Sequence, residues 1–138
     1  MKRIIVTTNF SSHSKYTVEY VVNFLNATQI PCSILLVNTF MVQQTDPDQV
    51  ILANDQLKQL SRQKLELERL EALKLITNSN ISVETSSNMG SLNYVILNLI
   101  QKEKFDLVAM GKNGGRHVEA MSTMLKTKKC PLLITYMH

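Results

Sequence analysis

The stretch that decides the fold is FDLVAMGKNGGR, residues 105–116. A short apolar run at residues 107–110 ends at Gly111, and a glycine-containing loop then leads into a helical pattern. A buried parallel strand that turns into the start of a helix has this pattern. Three of the four glycines of the chain, Gly111, Gly114 and Gly115, lie here. Because glycine permits positive φ angles and a close backbone approach, we expect a ligand-binding loop at this point.

Strands and helices alternate in the sequence on both sides of this stretch. Continuous apolar runs at residues 4–6, 34–37 and 107–110 predict buried central strands, and residues 132–135 predict a final strand. Residues 81–84 alternate between apolar and polar, which is typical of a half-exposed edge strand. The order β-α-β-α-β-α-β-α-β predicts the α/β class, with a parallel sheet, right-handed crossovers and helices on both faces.

Apolar residues between the strands recur at helical spacing. The face of the first helix is formed by Tyr20, Val21, Phe24, Leu25 and Thr28. The long, polar second helix carries a loose stripe formed by Leu57, Leu60, Leu67 and Leu70. The third carries Leu92, Val95, Ile96, Leu99 and Ile100, and the fourth Val118, Met121 and Leu125. Because the stripe of the second helix does not keep a heptad, we expect its leucines in the core and not in a coiled-coil zipper.

The totals describe an ordinary soluble protein. A chain of 138 residues predicts one domain, residues 1–138. The net charge of +4 is scattered, and the one dense group, Lys126, Lys128 and Lys129, is better explained by a helix C-terminus than by a nucleic-acid surface. No apolar run reaches the length needed to span a membrane. We therefore expect a cytoplasmic protein without nucleic-acid or membrane partners.

The cysteines and histidines do not form a metal or catalytic pattern. Cys32 and Cys130 have no paired spacing, which favours reduced, largely buried thiols. His13, His117 and His138 lack the spacing of metal ligands. An acid/base role for His13 and His117 and a redox role for Cys130 stay as alternatives. No nucleophile or carboxylate pair accompanies them, so we predict no catalytic residue and no metal.

Three fragments resemble the universal stress protein family, and the resemblance covers nearly the whole chain. VTTNFS at residues 6–11 matches the family pattern V-P-x-D-F-S, DLVAMG at 106–111 matches D-L-x-V-M-G, and CPLL at 130–133 matches C-P-V-L. The resemblance implies a three-layer open sandwich of the Rossmann-like, adenine nucleotide alpha hydrolase-like kind. Its five parallel strands would have the order 3-2-1-4-5. It also implies a homodimeric stress-response protein.

The ATP-binding motif of that family, G-x-x-G-x₉-G-[ST], is only half present. Gly111-Lys112-Asn113-Gly114 supplies the first half, but Gly115 is the last glycine of the chain. Asn9 also stands where ATP-binding members carry an aspartate. The chain therefore resembles the members that lack a complete motif, and we expect no cofactor and no tight ATP binding.

The strand order implied by the resemblance brings strands one and four together at a switch point, and ligands in open α/β sheets bind outside the carboxyl ends there. The residues predicted to converge on this crevice are Thr7, Thr8, Asn9, Gly111, Lys112, Asn113, Gly114 and Arg116. Lys112 and Arg116 beside free backbone amides would suit an anion. The alternative is that residues 111–115 form only a tight turn from strand to helix.

Three functions follow from this pattern. We favour a homodimer that acts in the stress response through protein contacts. The alternative is a switch that responds to ATP, AMP or phosphate at residues 111–116. A weak ATPase is a third, but it would need a metal-binding acid near Asn9. The predicted dimer interface is the final strand, an unprotected apolar edge in this strand order. Its residues are Leu132, Leu133, Ile134 and Thr135.

Overall fold

Strands and helices alternate along the chain in the predicted order. The computed structural model describes residues 1–41, 46–112 and 116–137, with side chains for all of these except 49–52, 116 and 117. The strands are β1 (Lys2–Thr7), β2 (Cys32–Phe40), β3 (Ile81–Met89), β4 (Leu107–Gly111) and β5 (Leu132–Thr135). The helices are α1 (Ser12–Thr28), α2 (Pro47–Leu75), α3 (Leu92–Lys102) and α4 (Arg116–Lys128).

The five strands form one parallel sheet with the order β3-β2-β1-β4-β5. β1 pairs with β2 on one side, with Ile4 opposite Ile34, and with β4 on the other side, with Ile4 opposite Leu107. The predicted α/β fold, its strand order and the central position of three apolar runs are therefore confirmed. β3 and β5 lie at the two edges, and the switch point lies between β1 and β4.

Helices cover both faces of the sheet, which explains why the central strands are apolar throughout. Ile4 and Val6 pack in one core with residues of α1 and α2. Ile5, between them in sequence, packs in the other core with residues of α3 and α4. Burying such a side chain on folding contributes roughly 1.5–3 kcal/mol. The apolar faces predicted for α3 and α4 are confirmed, since their residues are buried in or packed against the second core.

The face predicted for α1 was partly wrong. Tyr20 is 46% exposed and Phe24 is 56% exposed, whereas Ser14 and Thr17 are buried. The hydroxyl of Thr17 lies 2.7 Å from that of Thr135 at the end of β5, so a hydrogen bond compensates for its burial. The predicted face was wrong in part because it was chosen from apolar residues alone, whereas two polar residues belong to the face that contacts the sheet.

The leucine stripe expected in the core on α2 was also wrong. Leu60, Leu67 and Leu70 are exposed. The buried face of α2 consists instead of Ser61, Leu65, Glu68 and Ala72. The polar members of this face make hydrogen bonds inside the protein, as described below, and these bonds permit their burial.

The cysteines behave as predicted. Both are free and buried, and Cys32 is fully buried. Burial raises the pKa of the Cys32 thiol from 9.0 to about 11, with a smaller contribution from the charge of Asp106. The thiol therefore stays protonated and unreactive near neutral pH. Within the described residues, no helix combines the length and the apolar character needed to cross a membrane.

Candidate functional site

A crevice lies at the carboxyl ends of the central strands, at the switch point between β1 and β4. It encloses about 330 Å³. It is lined by Thr7, Thr8, Asn9, Ser14, Asn38, Thr39, Phe40, Met41, Gly90, Ser91, Leu92, Met110 and Gly111. Seven of these residues carry hydroxyl or amide side chains and four are apolar, and the lining contains no ionisable side chain among the described residues. The crevice suits a small polar ligand held by hydrogen bonds.

The structure brings half of the predicted site residues together. Thr7, Thr8, Asn9 and Gly111 all line the crevice. Lys112 does not, because its ammonium group lies 4.9 Å from the centre of the Tyr136 ring, directly after β5. Arg116 begins α4, and its side chain lies outside the described part. Asn113 and Gly114, the other predicted loop residues, also lie outside the described residues.

Asn9 holds the loop between β1 and α1. Its Oδ1 accepts hydrogen bonds from the Ser11 amide at 3.1 Å and from the Ser14 hydroxyl at 2.7 Å. The Asn9 amide in turn donates to the Ser14 hydroxyl oxygen at 3.1 Å. Ser11 caps α1, because its hydroxyl accepts a hydrogen bond from the Ser14 amide. Asn9 is therefore a neutral side chain whose polar groups shape this loop.

Thr8 has a partner for each of its polar groups. Its amide donates to the Val37 carbonyl at 2.9 Å, and its carbonyl accepts from Asn38 Nδ2 at 2.8 Å. Its hydroxyl donates to Glu68 Oε2 at 3.0 Å and accepts from the Phe10 amide at 3.0 Å. Phe10 has a φ of 66°, in the left-handed region. This set of bonds fixes the conformation of the loop that borders the crevice.

Sequence reasoning missed the wall that β2 contributes. Asn38 is buried, and its Oδ1 accepts from the Ser61 hydroxyl at 2.7 Å. That hydroxyl also accepts from Ser87 of β3 at 2.7 Å. A continuous polar chain thus joins β1, β2, α2 and β3 beneath the crevice. The signal was Asn38-Thr39 directly after an apolar run, since polar residues at the carboxyl end of a parallel strand point to the ligand side.

Sequence reasoning also missed the wall at the start of α3. Gly90 has a φ of 132°, a conformation that side chains rarely adopt. A Cβ atom there would meet its nearest neighbours at an ordinary 3.7 Å, so it is the backbone and not space that requires glycine. Ser91 then caps α3 by accepting from the Tyr94 amide at 3.4 Å. The Gly-Ser pair before an apolar helix was the available signal.

Glu68 is the only acid within the described residues that is buried directly behind this crevice. It is 5% exposed, and its Oε1 has no hydrogen-bond partner. Burial raises the pKa of this carboxyl, while the hydrogen bond from Thr8 and the charge of Lys15 oppose the rise. A glutamate in register with Leu65 and Ala72 on the buried side of α2 was the sequence signal.

Neither a catalytic constellation nor a metal centre is present in the described part. His13 does not line the crevice. No group of three or more histidine, cysteine or acidic side chains there is placed to hold a metal ion. The arrangement provides hydrogen bonds and shape, and it presents no nucleophile with an adjacent base.

Comparison with known proteins places this chain in a family. The Universal stress protein family model matches residues 1–134. A comparison with curated protein sequences finds no match. A universal stress protein family protein from Burkholderia pseudomallei superposes with a TM-score of 0.73 and 12% identity, over 97% of this chain and 95% of that one.

Two further solved structures contain a nucleotide. One from Arabidopsis thaliana, with AMP bound, has a TM-score of 0.72 and 17% identity over 100% of this chain and 93% of that chain. One from Archaeoglobus fulgidus, in complex with dAMP, has a TM-score of 0.65 and 12% identity over 97% of each chain. These likenesses agree with the family model in fold. The chain belongs to the universal stress protein family.

Proposed function

We propose that this protein acts in the stress response as a cytoplasmic homodimer that works through protein contacts and does not hold ATP tightly. The observation that carries the proposal is the edge strand β5. Three apolar residues of this strand, Leu132, Leu133 and Ile134, are partly exposed, and Thr135 is buried. An apolar edge that stays open invites association with another strand.

The backbone of β5 has hydrogen-bonding groups available for such association. The Val108 amide of β4 donates to the Pro131 carbonyl at 3.0 Å. In a parallel ladder, alternate residues face the neighbouring strand, so Leu133 also faces β4. The amides and carbonyls of Leu132 and Ile134 therefore face the open edge. A second copy related by a two-fold axis would pair with these groups in an antiparallel ladder.

α1 extends the apolar surface beside this edge. The helix packs over β4 and β5, and the Thr17–Thr135 hydrogen bond joins it to the end of β5. Lys15 lines the cleft between α1 and α2. Phe24 comes nine residues after Lys15, and nine residues make about two and a half turns of an α-helix. Phe24 therefore lies on the opposite side of α1 from Lys15, away from α2. Exposed Tyr20 lies near the same side, and both aromatic rings would add contact area to a β5 dimer.

Light scattering coupled to size-exclusion chromatography at tens of micromolar tests the dimer. We expect twice the mass of the 15.7 kDa chain. A monomer at this concentration would end the proposal.

Weak ATP binding is the second part of the proposal. The second half of the motif, which would supply donors to the phosphates, is absent from the sequence. Lys112 lies against Tyr136 and away from the crevice lining. Each lost hydrogen bond to a charged phosphate costs about 1.5–3 kcal/mol. Calorimetric titration should give a dissociation constant for ATP well above the micromolar range, and no hydrolysis of ATP should accompany it.

A second candidate function is binding of a nucleoside monophosphate in the crevice. The observation that favours it is the polar lining of Thr, Asn, Ser and Gly residues at the switch point, in a fold shared with structures that contain AMP and dAMP. A volume of about 330 Å³ is at the small end of ligand pockets, which favours a monophosphate over ATP. Native mass spectrometry of freshly purified protein and titration with AMP test it. No retained nucleotide and no heat with millimolar AMP would refute it.

A further inference from the structure

A buried proton-binding group lies directly behind the crevice. Glu68 reaches the end of β1 from α2, and its Oε2 accepts the hydrogen bond of the Thr8 hydroxyl at 3.0 Å. The same carboxyl borders a cavity of about 30 Å³ between α1 and α2, large enough for one water molecule. Its Oε1 is buried without a partner. Because burial disfavours the ionised form of a carboxyl, Glu68 in this position is poised to take up a proton.

The charged groups that face Glu68 come from two helices. α1 contributes Lys15 and Glu19, and α2 contributes Glu71 beside the cavity. Lys64, one turn earlier on α2, lies 5.5 Å from the centre of the Phe10 ring and borders the same loop. The loop after β1 contributes the uncharged Thr8. Lys15 favours the ionised form, whereas burial, the largest influence on the pKa of this carboxyl, and the charge of Glu71 favour the neutral form.

The protonation state of Glu68 decides where the Thr8 hydrogen points. With Glu68 ionised, the Thr8 hydroxyl donates to the carboxylate and accepts from the Phe10 amide, so it has no donor for a ligand. A protonated carboxyl instead donates its own proton to the Thr8 oxygen. That oxygen can accept two hydrogen bonds, one from the Phe10 amide and one from Glu68. The Thr8 hydrogen is then free to turn toward an acceptor in the crevice.

We propose that Glu68 is a proton-linked positioning residue that, through Thr8, makes the crevice bind an acceptor-bearing ligand such as a nucleoside monophosphate more tightly when it takes up one proton from solvent. This inference rests on the second candidate function, ligand binding in the crevice. It adds to that function a dependence on pH. The proton enters at the carboxyl, and no other bond forms or breaks.

The test is calorimetric titration with AMP from pH 5.5 to 8.0 on three proteins, the wild type and two variants. Glu68→Gln places a permanent amide donor beside Thr8 and should mimic the protonated state. At pH 8 we expect it to bind AMP about tenfold more tightly than the wild type, as one hydrogen bond to an anionic ligand would give. The difference should shrink as the pH falls. Glu19→Gln, which removes a negative charge from the lining of the same cavity, is the matched control and should follow the wild type. AMP titrates in all three alike, so its own protonation cancels.

Two further measurements separate the possible failures. Adding Thr8→Val to Glu68→Gln should remove the gain in affinity. Titrations at pH 7 in two buffers of different ionisation enthalpy should detect more proton uptake by the wild type than by Glu68→Gln, because the phosphate of AMP, with a second pKa of about 6, contributes to both. Equal affinities and pH profiles for wild type and Glu68→Gln, or equal proton uptake, would overturn the role of Glu68 while leaving ligand binding intact. No binding of AMP by any variant would overturn the crevice function and this inference with it.

Discussion

The two edge strands of the sheet differ in nearly every respect except how they are fastened. Each is tied to the helix above it by a pair of hydroxyl groups 2.7 Å apart, Ser87 with Ser61 for β3 and Thr135 with Thr17 for β5. The two strands differ in length, because β3 has nine residues and β5 has four.

The chemistry of the two edges differs as well. β3 reads ISVETSSNM and exposes the charged side chain of Glu84, a feature that discourages pairing with another strand. β5 reads LLIT and, in the described residues, carries no charged side chain. The β3 edge is therefore suited to contact with solvent, whereas the β5 edge is suited to pairing with another strand. The following experiments test this difference.

The largest effect should come from proline at the open edge. The Ile134 amide faces away from β4, so Ile134→Pro should remove an intersubunit donor without breaking the β4–β5 ladder. We expect the dimer to weaken at least about a hundredfold, the loss of two or more hydrogen bonds and of close packing. Sedimentation equilibrium measures this.

The matched control lies on the opposite edge. The Gly90 amide donates to the Phe40 carbonyl at 2.9 Å, and alternation along the ladder makes the Thr85 amide face outward. Thr85→Pro therefore removes an equivalent donor from β3 and should leave the dimer intact. If both prolines dissociate the dimer equally, or neither does, the distinction between the edges is wrong.

The next effect concerns the hydroxyl pairs. Ser61→Ala should cost about 1–3 kcal/mol of folding free energy, because it leaves the buried Asn38 Oδ1 without a donor. Thr17→Val should cost somewhat less, because the only side-chain group it leaves without its partner is the Thr135 hydroxyl; the other bond it removes is the one that Thr17 donates to the His13 carbonyl within α1. Thr123→Val is the control, since its hydroxyl bonds the Glu119 carbonyl on the exposed surface. Urea denaturation gives these values, and a cost for Ser61→Ala no greater than the control would contradict the buried network.

A smaller change should follow removal of an aromatic ring beside β5. Phe24→Ser should weaken the dimer by about tenfold, the contribution expected of a partly buried ring at an interface rim. Leu67→Ser removes an equally exposed apolar side chain from α2 and should not change the dimer. Sedimentation equilibrium of both variants measures these effects. A larger loss of dimer for Leu67→Ser than for Phe24→Ser would mean that the interface lies elsewhere.

The smallest effect should come from the protected edge itself. Glu84→Leu removes the charge of β3 and makes this edge more like β5. We expect slow association beyond the dimer at high concentration, with no change in secondary structure, because a single charge contributes only part of the protection. Time-resolved light scattering detects it, and an unchanged signal over days would mean that strand length and polarity suffice.

Glu68 adds a pH dependence of stability that edge variants should not share. Its pKa is raised in the folded state above the usual 4.5, so its favourable contribution is present below 4.5 and is lost as the pH rises through the folded value. Glu68→Gln should therefore melt at a higher temperature than the wild type at pH 7. The gap should close as the pH falls toward 4.5.

The fold class and the positions of its strands could be predicted from the sequence alone because their signals are local and repeated, whereas the strand order came from the family resemblance. Continuous apolar runs such as residues 34–37 indicate strands buried on both faces, and the alternation at residues 81–84 indicates an edge. Thr7, Thr8 and Asn9 were also predicted as crevice residues, because the strand order implied by the family resemblance places the end of the first strand at a switch point.

Only the tertiary structure decided which polar groups are buried and which apolar groups are not. Ser61, Glu68 and Thr17 lie inside because hydrogen-bond partners distant in sequence meet them there, and no helical pattern records those partners. Phe24 and Leu67 lie outside because these buried polar residues occupy the faces of α1 and α2 that contact the sheet. The apolar pattern sets which segments pack, but the partner of each buried polar atom is set by contacts across the fold.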